Sequence, residues 1–327
     1  MRRLSSAGRN PRGYPAGFER KKRFKERLVG MMKSKKKSKM ILVSVLVLAL
    51  SGCVAALWIA NRSSGLSKLN GTAYSRRMDG SIFNWHDNGC AYSLSEDGTV
   101  TVSYKNGKKL ERVPMKLYTA SGDGIPKEEN AGVFLSPERS AIAYIDKPGD
   151  RFIAVQTSGD SGRTWDMACI TYDKPVTWIK LGFTTKKKGW LIVCTFVAMG
   201  QEEHDLFKTA DGGRTWTPIT GNLDEMHGRV LTGAGFVNEN IGFACFRYET
   251  DFQPAVCETR DGGQTWEKVP VPLSKAYDGY SKTALSPACD GKDIVLPVLL
   301  SNASGEEKMI YLKSSDLGAT WREENAD

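Results

Sequence analysis

The chain has 327 residues, of which 40% are hydrophobic and 25% charged, a composition that excludes a disordered protein and allows a full hydrophobic core. Its net charge of +9 is unevenly distributed: residues 1–39 hold 15 Lys and Arg against 2 Asp and Glu, whereas residues 40–327 hold 31 against 35. The mildly acidic remainder excludes nucleic acid as a partner of the globular part.

A basic tail and an apolar run open the chain. Residues 1–39 form the basic tail, and residues 40–60 follow without a charge, at about the length that a helix needs to span the ~30 Å hydrocarbon core of a bilayer. The lysines before the run favour a cytoplasmic N-terminus and export of the rest. The sequence therefore predicts a signal-anchor transmembrane helix over 40–60, which contacts the cell membrane and holds an extracellular domain.

A second interpretation of the same run stays open. Leu50-Ser51-Gly52-Cys53 resembles a bacterial lipobox, in which Cys53 would be lipidated after cleavage and the chain would be a lipid-anchored lipoprotein. The apolar residues that follow Cys53 argue against it, because a mature lipoprotein usually becomes polar at once. Both interpretations place the domain outside the cell.

Strand-like runs begin after a predicted stalk over 61–77, which is rich in Ser, Gly and Asn. Residues 78–119 contain three such runs and a turn at Tyr104-Lys-Asn-Gly-Lys108. The runs cover residues 89–94, 99–104 and 110–115. Their spacing predicts a degenerate copy of the repeat that follows.

Four octads with the pattern (Ser/Thr)-x-Asp-x-Gly-x-Thr-Trp organise the rest of the chain. In each octad the Asp carboxylate can accept backbone N–H groups of its own turn, Gly allows a conformation that a Cβ resists, and Trp packs under the turn. The structural residues are predicted to be Asp160, Gly162, Trp165, Asp211, Gly213, Trp216, Asp261, Gly263, Trp266, Asp316, Gly318 and Trp321.

Four strand-like runs recur around each octad. In the second unit they cover residues 176–183, 189–197, 205–208 and 215–219. Four strands in about 50 residues are typical of one propeller blade. The sequence predicts an all-β fold, a β-propeller of four-stranded antiparallel blades over 78–327. The count is five blades, or six if residues 61–84 contribute or a blade is split across the termini.

These octads are similar to the Asp box, also called the BNR repeat. Over about residues 78–327 the chain resembles Asp-box propellers such as sialidases, sortilin-type receptors and photosystem assembly factors. The resemblance implies that the octads lie at the blade periphery, away from the functional site. Sialidase chemistry would require three arginines, a Tyr activated by Glu and an Asp acid/base. No Arg-Ile-Pro element occurs, and beyond Arg247 a second and third ligating arginine cannot be assigned.

No catalytic constellation is visible in the sequence, so the chain is expected to be a binding or assembly scaffold for a protein or a cell-surface glycan. The alternative is a sialidase-like or other glycoside hydrolase. Loops carry function on such scaffolds. The residues proposed for the binding rim are Glu203, Arg247, Glu249, Asp251, Tyr277 and Tyr280.

Six cysteines lie beyond Cys53, an even number that permits disulfides without requiring them. Cys245 and Cys257 flank a turn almost symmetrically, so they either face each other across a hairpin or are two buried thiols in strands. No cysteine spacing resembles CxxC, and the three histidines lie in unrelated contexts. The sequence predicts neither a metal site nor a cofactor.

Overall fold

The computed structural model describes residues 66, 69, 71–76, 82–117, 131–145, 151–247, 253–290 and 292–324. The chain divides into two units, Met1–Ser63 and Ser64–Asp327, and every described residue belongs to the second. The predicted tail over 1–39 and helix over 40–60, with Cys53, lie outside the described residues. Two of the proposed rim residues, Glu249 and Asp251, also lie outside them.

The second unit is nearly all β and consists of consecutive antiparallel sheets, each formed by one stretch of chain. A two-stranded pair comes first, with strands β1 (Ala73–Arg76) and β2 (Ile82–His86). Sheet 1 has three strands: β3 (Ala91–Leu94), β4 (Thr99–Tyr104) and β5 (Lys109–Lys116). Sheet 2 has four: β6 (Gly132–Phe134), β7 (Ser140–Tyr144), β8 (Phe152–Ser158) and β9 (Asp166–Thr171).

Sheets 3 to 5 repeat the same order of strands. Sheet 3 contains β10 (Trp178–Phe183), β11 (Gly189–Ala198), β12 (Gln201–Thr209) and β13 (Thr217–Ile219). A short helix, α1 (Leu223–Met226), leads to sheet 4, with β14 (Leu231–Phe236), β15 (Gly242–Phe246), β16 (Ala255–Thr259) and β17 (Glu267–Lys268). A 3-10 turn, Lys275–Tyr277, precedes sheet 5, with β18 (Ser281–Ala284), β19 (Ala288–Asp290), β20 (Asp293–Ser301), β21 (Glu307–Ser314) and β22 (Arg322–Glu323).

The predicted four-strand unit is confirmed in sheets 2 to 4, and sheet 5 contains it with β19 as an additional strand paired to β20. In each of these sheets an octad forms the hairpin between the last two strands. The degenerate unit differs because sheet 1 has three strands within the residues that the structure describes. Its turn at Lys105, Asn106 and Gly107 has three consecutive positive φ angles, of 56°, 56° and 80°. A local left-handed turn thus closes this hairpin without an octad.

The core lies between neighbouring sheets, and strand periodicity assigns residues to it. In β11, Leu191 and Val193 pack in the cluster shared with sheet 2, whereas Ile192 and Cys194 pack in the cluster shared with sheet 4. Because successive side chains point to opposite faces, a strand between two sheets is apolar on both faces.

One expectation needs correction, and the structure decides between two alternatives that the sequence left open. The predicted stalk over 61–77 contains strand β1, and Leu69 is a buried member of the core. A strand and a core side chain are not parts of a flexible linker. Cys245 pairs in register with Val256, and Cys257 with Ala244. This offset of one residue puts the two thiols on opposite faces of sheet 4, so they form no disulfide.

Candidate functional site

Each sheet has two ends at which its strands turn, and the order of strands makes these two ends different. In an antiparallel meander the first and third turns lie at one edge, and the second turn and the connection to the next sheet lie at the other. All four octads are third turns, so we call the first edge the octad edge and the second the loop edge. The described rim candidates Glu203, Arg247, Tyr277 and Tyr280 belong to the loop edge.

At the octad edge, each Asp side chain is bonded within its own turn. Asp211 accepts hydrogen bonds from the Thr209 hydroxyl at 2.8 Å, the Thr215 backbone N–H at 3.0 Å and the Thr215 hydroxyl at 2.6 Å. Gly213 adopts a φ of 91° and donates its N–H to the Thr209 hydroxyl. The equivalent Thr hydroxyls donate to Asp160 at 2.8 Å, Asp261 at 2.6 Å and Asp316 at 2.7 Å.

These bonds favour the ionised carboxylate. The backbone N–H of Thr164 is the main group that lowers the pKa of Asp160 to about 2, and the hydroxyl of Thr320 has that role for Asp316, also to about 2. A carboxylate that is already saturated by its own turn is poorly placed to bind a ligand. The octad edge therefore offers no catalytic acid or base in these positions.

At the loop edge, two carboxylates of β12 share one ammonium group. Lys174 contacts Asp205 at 2.8 Å and Glu203 at 3.2 Å. Tyr172 donates its hydroxyl to Asp205 at 2.8 Å and lies 2.9 Å from the hydroxyl of Thr195. Glu203 and Asp205 are two residues apart, so period-two alternation places both on the same face of the strand. We call this group the β12 carboxylate pair.

Charge and burial give the members of this group different roles. Burial, with Asp205 alongside, raises the pKa of the Tyr172 hydroxyl, which therefore stays protonated and acts as a hydrogen-bond donor. The hydrogen bond to Asp205 raises the pKa of Lys174. The side chains of Glu203 and Asp205 are 47% and 36% exposed, so a ligand from solvent can reach them.

The described rim candidates do not form one cluster. Tyr277 donates its hydroxyl to Glu323, and Tyr280 donates to Glu306 at 3.2 Å, so both are tied to sheet 5. Arg247 instead reaches sheet 3: its Nη1 lies 3.8 Å from the position of a Cβ on Gly200, at the tip of the β11–β12 hairpin. Sequence reasoning missed the group formed by Tyr172, Lys174 and Asp205, because Tyr172 and Lys174 lie in the connection after β9 whereas Asp205 lies in β12.

The inner cavity is not a site of the sialidase type. It has a volume of about 100 Å³ and is lined by the first strands of sheets 2 to 4, by residues around 71–74 and by residues 286–289. Small-molecule sites usually measure ~300–1,000 Å³. Among the described residues that line it, Lys180 is the one charged side chain, and none is an arginine.

Three buried side chains have the chemistry of metal ligands. The ligand atoms of Cys194, Glu202 and His204 lie within 4.8 Å of one another. The spacing of these residues in the sequence is not that of a known metal motif. The sequence signal that could have found this group is the β11–β12 hairpin, because a turn near Gly200 places Cys194 opposite His204.

Two curated proteins are similar to the chain in sequence, and both are the xyloglucanase Xgh74A of Acetivibrio thermocellus. No protein-family model matches the chain. The xyloglucanase Xgh74A of Acetivibrio thermocellus is 23% identical over 150 residues, which are 45% of this chain and 18% of that protein. The chain therefore spans less than a fifth of the length of the curated relative it matches.

Solved structures of several glycan-acting proteins are distantly similar. A polysaccharide lyase of family PL25, an ulvan lyase, has a TM-score of 0.44 and 12% identity, covering 79% of this chain and 73% of its own. The GH74 xyloglucanase of Xanthomonas campestris has a TM-score of 0.40 and 14% identity, covering 81% and 46%. The endo-arabinase of Bacteroides thetaiotaomicron has a TM-score of 0.41 and 12% identity, covering 65% and 83%. With TM-scores below 0.5, these similarities carry no inference about chemistry.

The relatives and one structural finding correct two expectations. The expected non-enzymatic scaffold is contradicted, because the curated relative is a xyloglucanase. The expected single-pass membrane location is also corrected: within the part of the chain that the structure describes, no helix is both long and apolar enough to cross a membrane.

Proposed function

We propose that this chain is a carbohydrate-active enzyme, a glycoside hydrolase that acts on a polysaccharide at the loop edge of a β-propeller. The observation that carries the proposal is the 150-residue similarity to a xyloglucanase. Because that similarity covers 18% of the relative, the substrate and the catalytic residues have to be argued from this chain's own geometry.

Contacts between sheets support a closed ring of blades. The first strands of sheets 2 to 5 contact one another in order. The short segment 72–74 then links the two ends of this series: Thr72 donates its N–H to the carbonyl of Leu135 beside sheet 2, and Ser286 beside sheet 5 donates to the carbonyl of Tyr74 at 2.7 Å. Two residues of extended chain span roughly 7 Å, so sheets 2 and 5 approach closely, as a ring requires.

The proposed catalytic groups are the β12 carboxylate pair. Glycoside hydrolysis uses one carboxyl group as acid and a second as nucleophile or base. The distances to the shared ammonium of Lys174, 3.2 and 2.8 Å, bound the separation of the two contacting oxygens at about 6 Å. This upper bound lies below the ~6.5–9.5 Å of inverting enzymes and admits the ~5–5.5 Å of retaining ones. We therefore propose a retaining reaction.

Lys174 Nζ pairs with both carboxylates in the free protein, at 2.8 Å from Asp205 and 3.2 Å from Glu203. A bound substrate has to displace this ammonium from one of the two groups, and we assign that group the role of acid. The hydrogen bond from Tyr172 holds Asp205 in place, so Glu203, with the more exposed side chain, is assigned the role of acid and Asp205 that of nucleophile.

Apolar groups beside the pair fit a sugar chain. Phe196, Val197 and Met199 at the tip of the β11–β12 hairpin are 53%, 52% and 94% exposed. Sites for organic ligands combine apolar and aromatic surface with a few polar groups that fix orientation. An exposed apolar tip next to two carboxylates has this composition, and Arg247 beside Gly200 adds a donor for sugar hydroxyls.

The test incubates the chain with a panel of plant and algal polysaccharides, with xyloglucan first, and measures hydrolysis as the release of reducing ends. We expect release by the wild-type chain and a loss of at least about 100-fold in Glu203→Gln and Asp205→Asn. Glu138→Gln is the matched control, because Glu138 also pairs with a lysine, Lys186, and is exposed, but at the octad edge. Equal release by wild type and Glu203→Gln, or none from any polysaccharide, would contradict the proposal.

A further inference from the structure

The second face of β12 carries a polar cluster that the proposed hydrolysis does not use. Cys194 lies directly opposite His204 in the register of β11 and β12, and Glu202 precedes His204 by two residues. All three side chains therefore point to one face, the face turned toward sheet 4, where the His204 ring packs 5.3 Å from that of Phe246.

Two atoms of this cluster have no hydrogen-bond partner although they are fully buried. The side chains of Glu202 and His204 are 0% exposed, and Glu202 Oε1 and His204 Nε2 make no hydrogen bond. Nε2 lies 3.5 Å from the other oxygen of Glu202, beyond the usual length of an N–H···O bond. A buried carboxylate oxygen left alone is costly, so this geometry favours a positively charged occupant between Glu202 and His204.

The remaining polar atoms of the two residues are held in fixed orientations. Asp224 Oδ1 lies 2.7 Å from His204 Nδ1. Glu202 Oε2 accepts hydrogen bonds from Trp178 Nε1 at 3.2 Å and from the backbone N–H of Leu231 at 2.9 Å. A carboxylate on one ring nitrogen of a histidine directs the lone pair of the other, which is the usual arrangement behind a metal-bound histidine.

We propose that Cys194, Glu202 and His204 bind one divalent transition-metal ion, with zinc as the expected metal. The ligand atoms are the Cys194 sulfur, Glu202 Oε1 and His204 Nε2, and Asp224 supports His204 from behind. Thiolate, imidazole and carboxylate are the ligands that zinc takes in proteins. All three ligands belong to the β11–β12 hairpin, and Glu202 also accepts the backbone N–H of Leu231, the first residue of sheet 4. The ion therefore stabilises the loop edge where this hairpin meets sheet 4.

A proton is the rival occupant, because an imidazolium between Glu202 and Asp224 would also balance the charges. The two differ in what they require of Cys194. A proton on His204 does not involve the sulfur, whereas a metal ion takes it as a ligand. Cobalt distinguishes them directly, since a thiolate bound to Co²⁺ gives a charge-transfer absorption band.

The experiment measures the metal content of the full chain, expressed with zinc in the medium and purified without chelators, and then refolds the chain with Co²⁺. Refolding is needed because the ligand atoms are buried. We expect close to one zinc per chain, a sulfur-to-cobalt band, and a melting temperature several degrees higher in the metal-loaded chain, since a ligand that binds only the folded state stabilises it. A wild-type chain that retains no metal and gives no such band overturns the proposal.

Two cysteine variants show whether the bound metal uses this site. Cys194→Ser is expected to lose the sulfur-to-cobalt band. Cys257→Ser is expected to keep it, because Cys257 is equally buried in the same core cluster but is not part of the group. Asp224→Asn should weaken metal affinity about 10- to 100-fold, as loss of a supporting partner does. A band that survives in Cys194→Ser would overturn the proposal, and none of these measurements depends on hydrolysis.

Discussion

The octad edge and the loop edge differ in how similar their turns are from one sheet to the next. At the octad edge, four turns separated by about 50 residues form the same hydrogen bonds between Ser or Thr, Asp, Gly and Thr, with lengths that agree within a few tenths of an ångström. At the loop edge, the described residues of sheets 3 and 5 form different groups: sheet 3 carries the β12 carboxylate pair, whereas sheet 5 carries the bonds of Tyr277 and Tyr280. Repetition indicates a role common to every sheet, which is stability, and the unrepeated groups are candidates for function.

The largest expected effect is on stability and involves the octad tryptophans. Trp266 is 1% exposed and donates its Nε1–H to the carbonyl of Gly263 at 3.0 Å, whereas Trp165 is only partly buried. We expect Trp266→Ala to lower the free energy of unfolding by about 3–5 kcal/mol and Trp165→Ala by clearly less. Urea unfolding of both variants measures the difference, and equal losses would contradict the packing described here.

The next effect concerns an octad carboxylate. Asp211→Asn loses an acceptor for the Thr215 hydroxyl and weakens the turn, so we expect a loss of about 1–3 kcal/mol. Asp173→Asn is the control, because Asp173 is exposed at the loop edge. Both variants are compared by urea unfolding. A folded Asp211→Asn variant that lost hydrolysis at low temperature would show that the octad has a role beyond stability.

Acid should weaken the octad edge in a defined range. The hydrogen bonds of Asp160 and Asp316 lower their pKa from the ordinary 3.8 to about 2. A depressed folded-state pKa contributes stability above pH 3.8, and that stability is lost as the pH falls toward 2. We expect the melting temperature to fall across this range and Asp316→Asn to show a smaller fall. Parallel curves for the two proteins would exclude this carboxylate as a source of acid sensitivity.

The smallest effect on stability is expected at the loop edge. Glu203 is half exposed and pairs with Lys174 at 3.2 Å, and an exposed ion pair contributes little. Glu203→Gln should therefore change the free energy of unfolding by less than about 1 kcal/mol. Urea unfolding checks this, and a loss as large as that of Asp211→Asn would remove the contrast between the edges.

Much of the fold follows from the sequence because its cause is local. An octad contains every partner of its own turn, from Thr209 to Trp216, so its pattern predicts a hairpin and, by its period, the four-strand unit. The strands predicted over 176–183 and 189–197 agree within two residues with β10 and β11. The Asp-box name and the sialidase type remain resemblances.

The other features depend on contacts between distant segments. Residues 71–76 look like a linker in composition, and β1 takes its place through the pairing with β2 and the bonds to Leu135 and Ser286. For Cys245 and Cys257, symmetry about a turn does not reveal the strand register. An offset of one residue decides whether the two thiols face each other or lie on opposite faces of the sheet. Lys174 and Asp205 meet because a connection between sheets crosses the end of β12, which sequence spacing does not encode.

The most direct test of the account measures both stability and hydrolysis for one carboxylate from each edge, with Asp205→Asn and Asp211→Asn assayed side by side on xyloglucan and in urea. The account predicts opposite results: Asp205→Asn keeps its free energy of unfolding within about 1 kcal/mol and loses hydrolysis, whereas Asp211→Asn loses stability and keeps hydrolysis while folded. Hydrolysis by Asp205→Asn at the wild-type rate would contradict it.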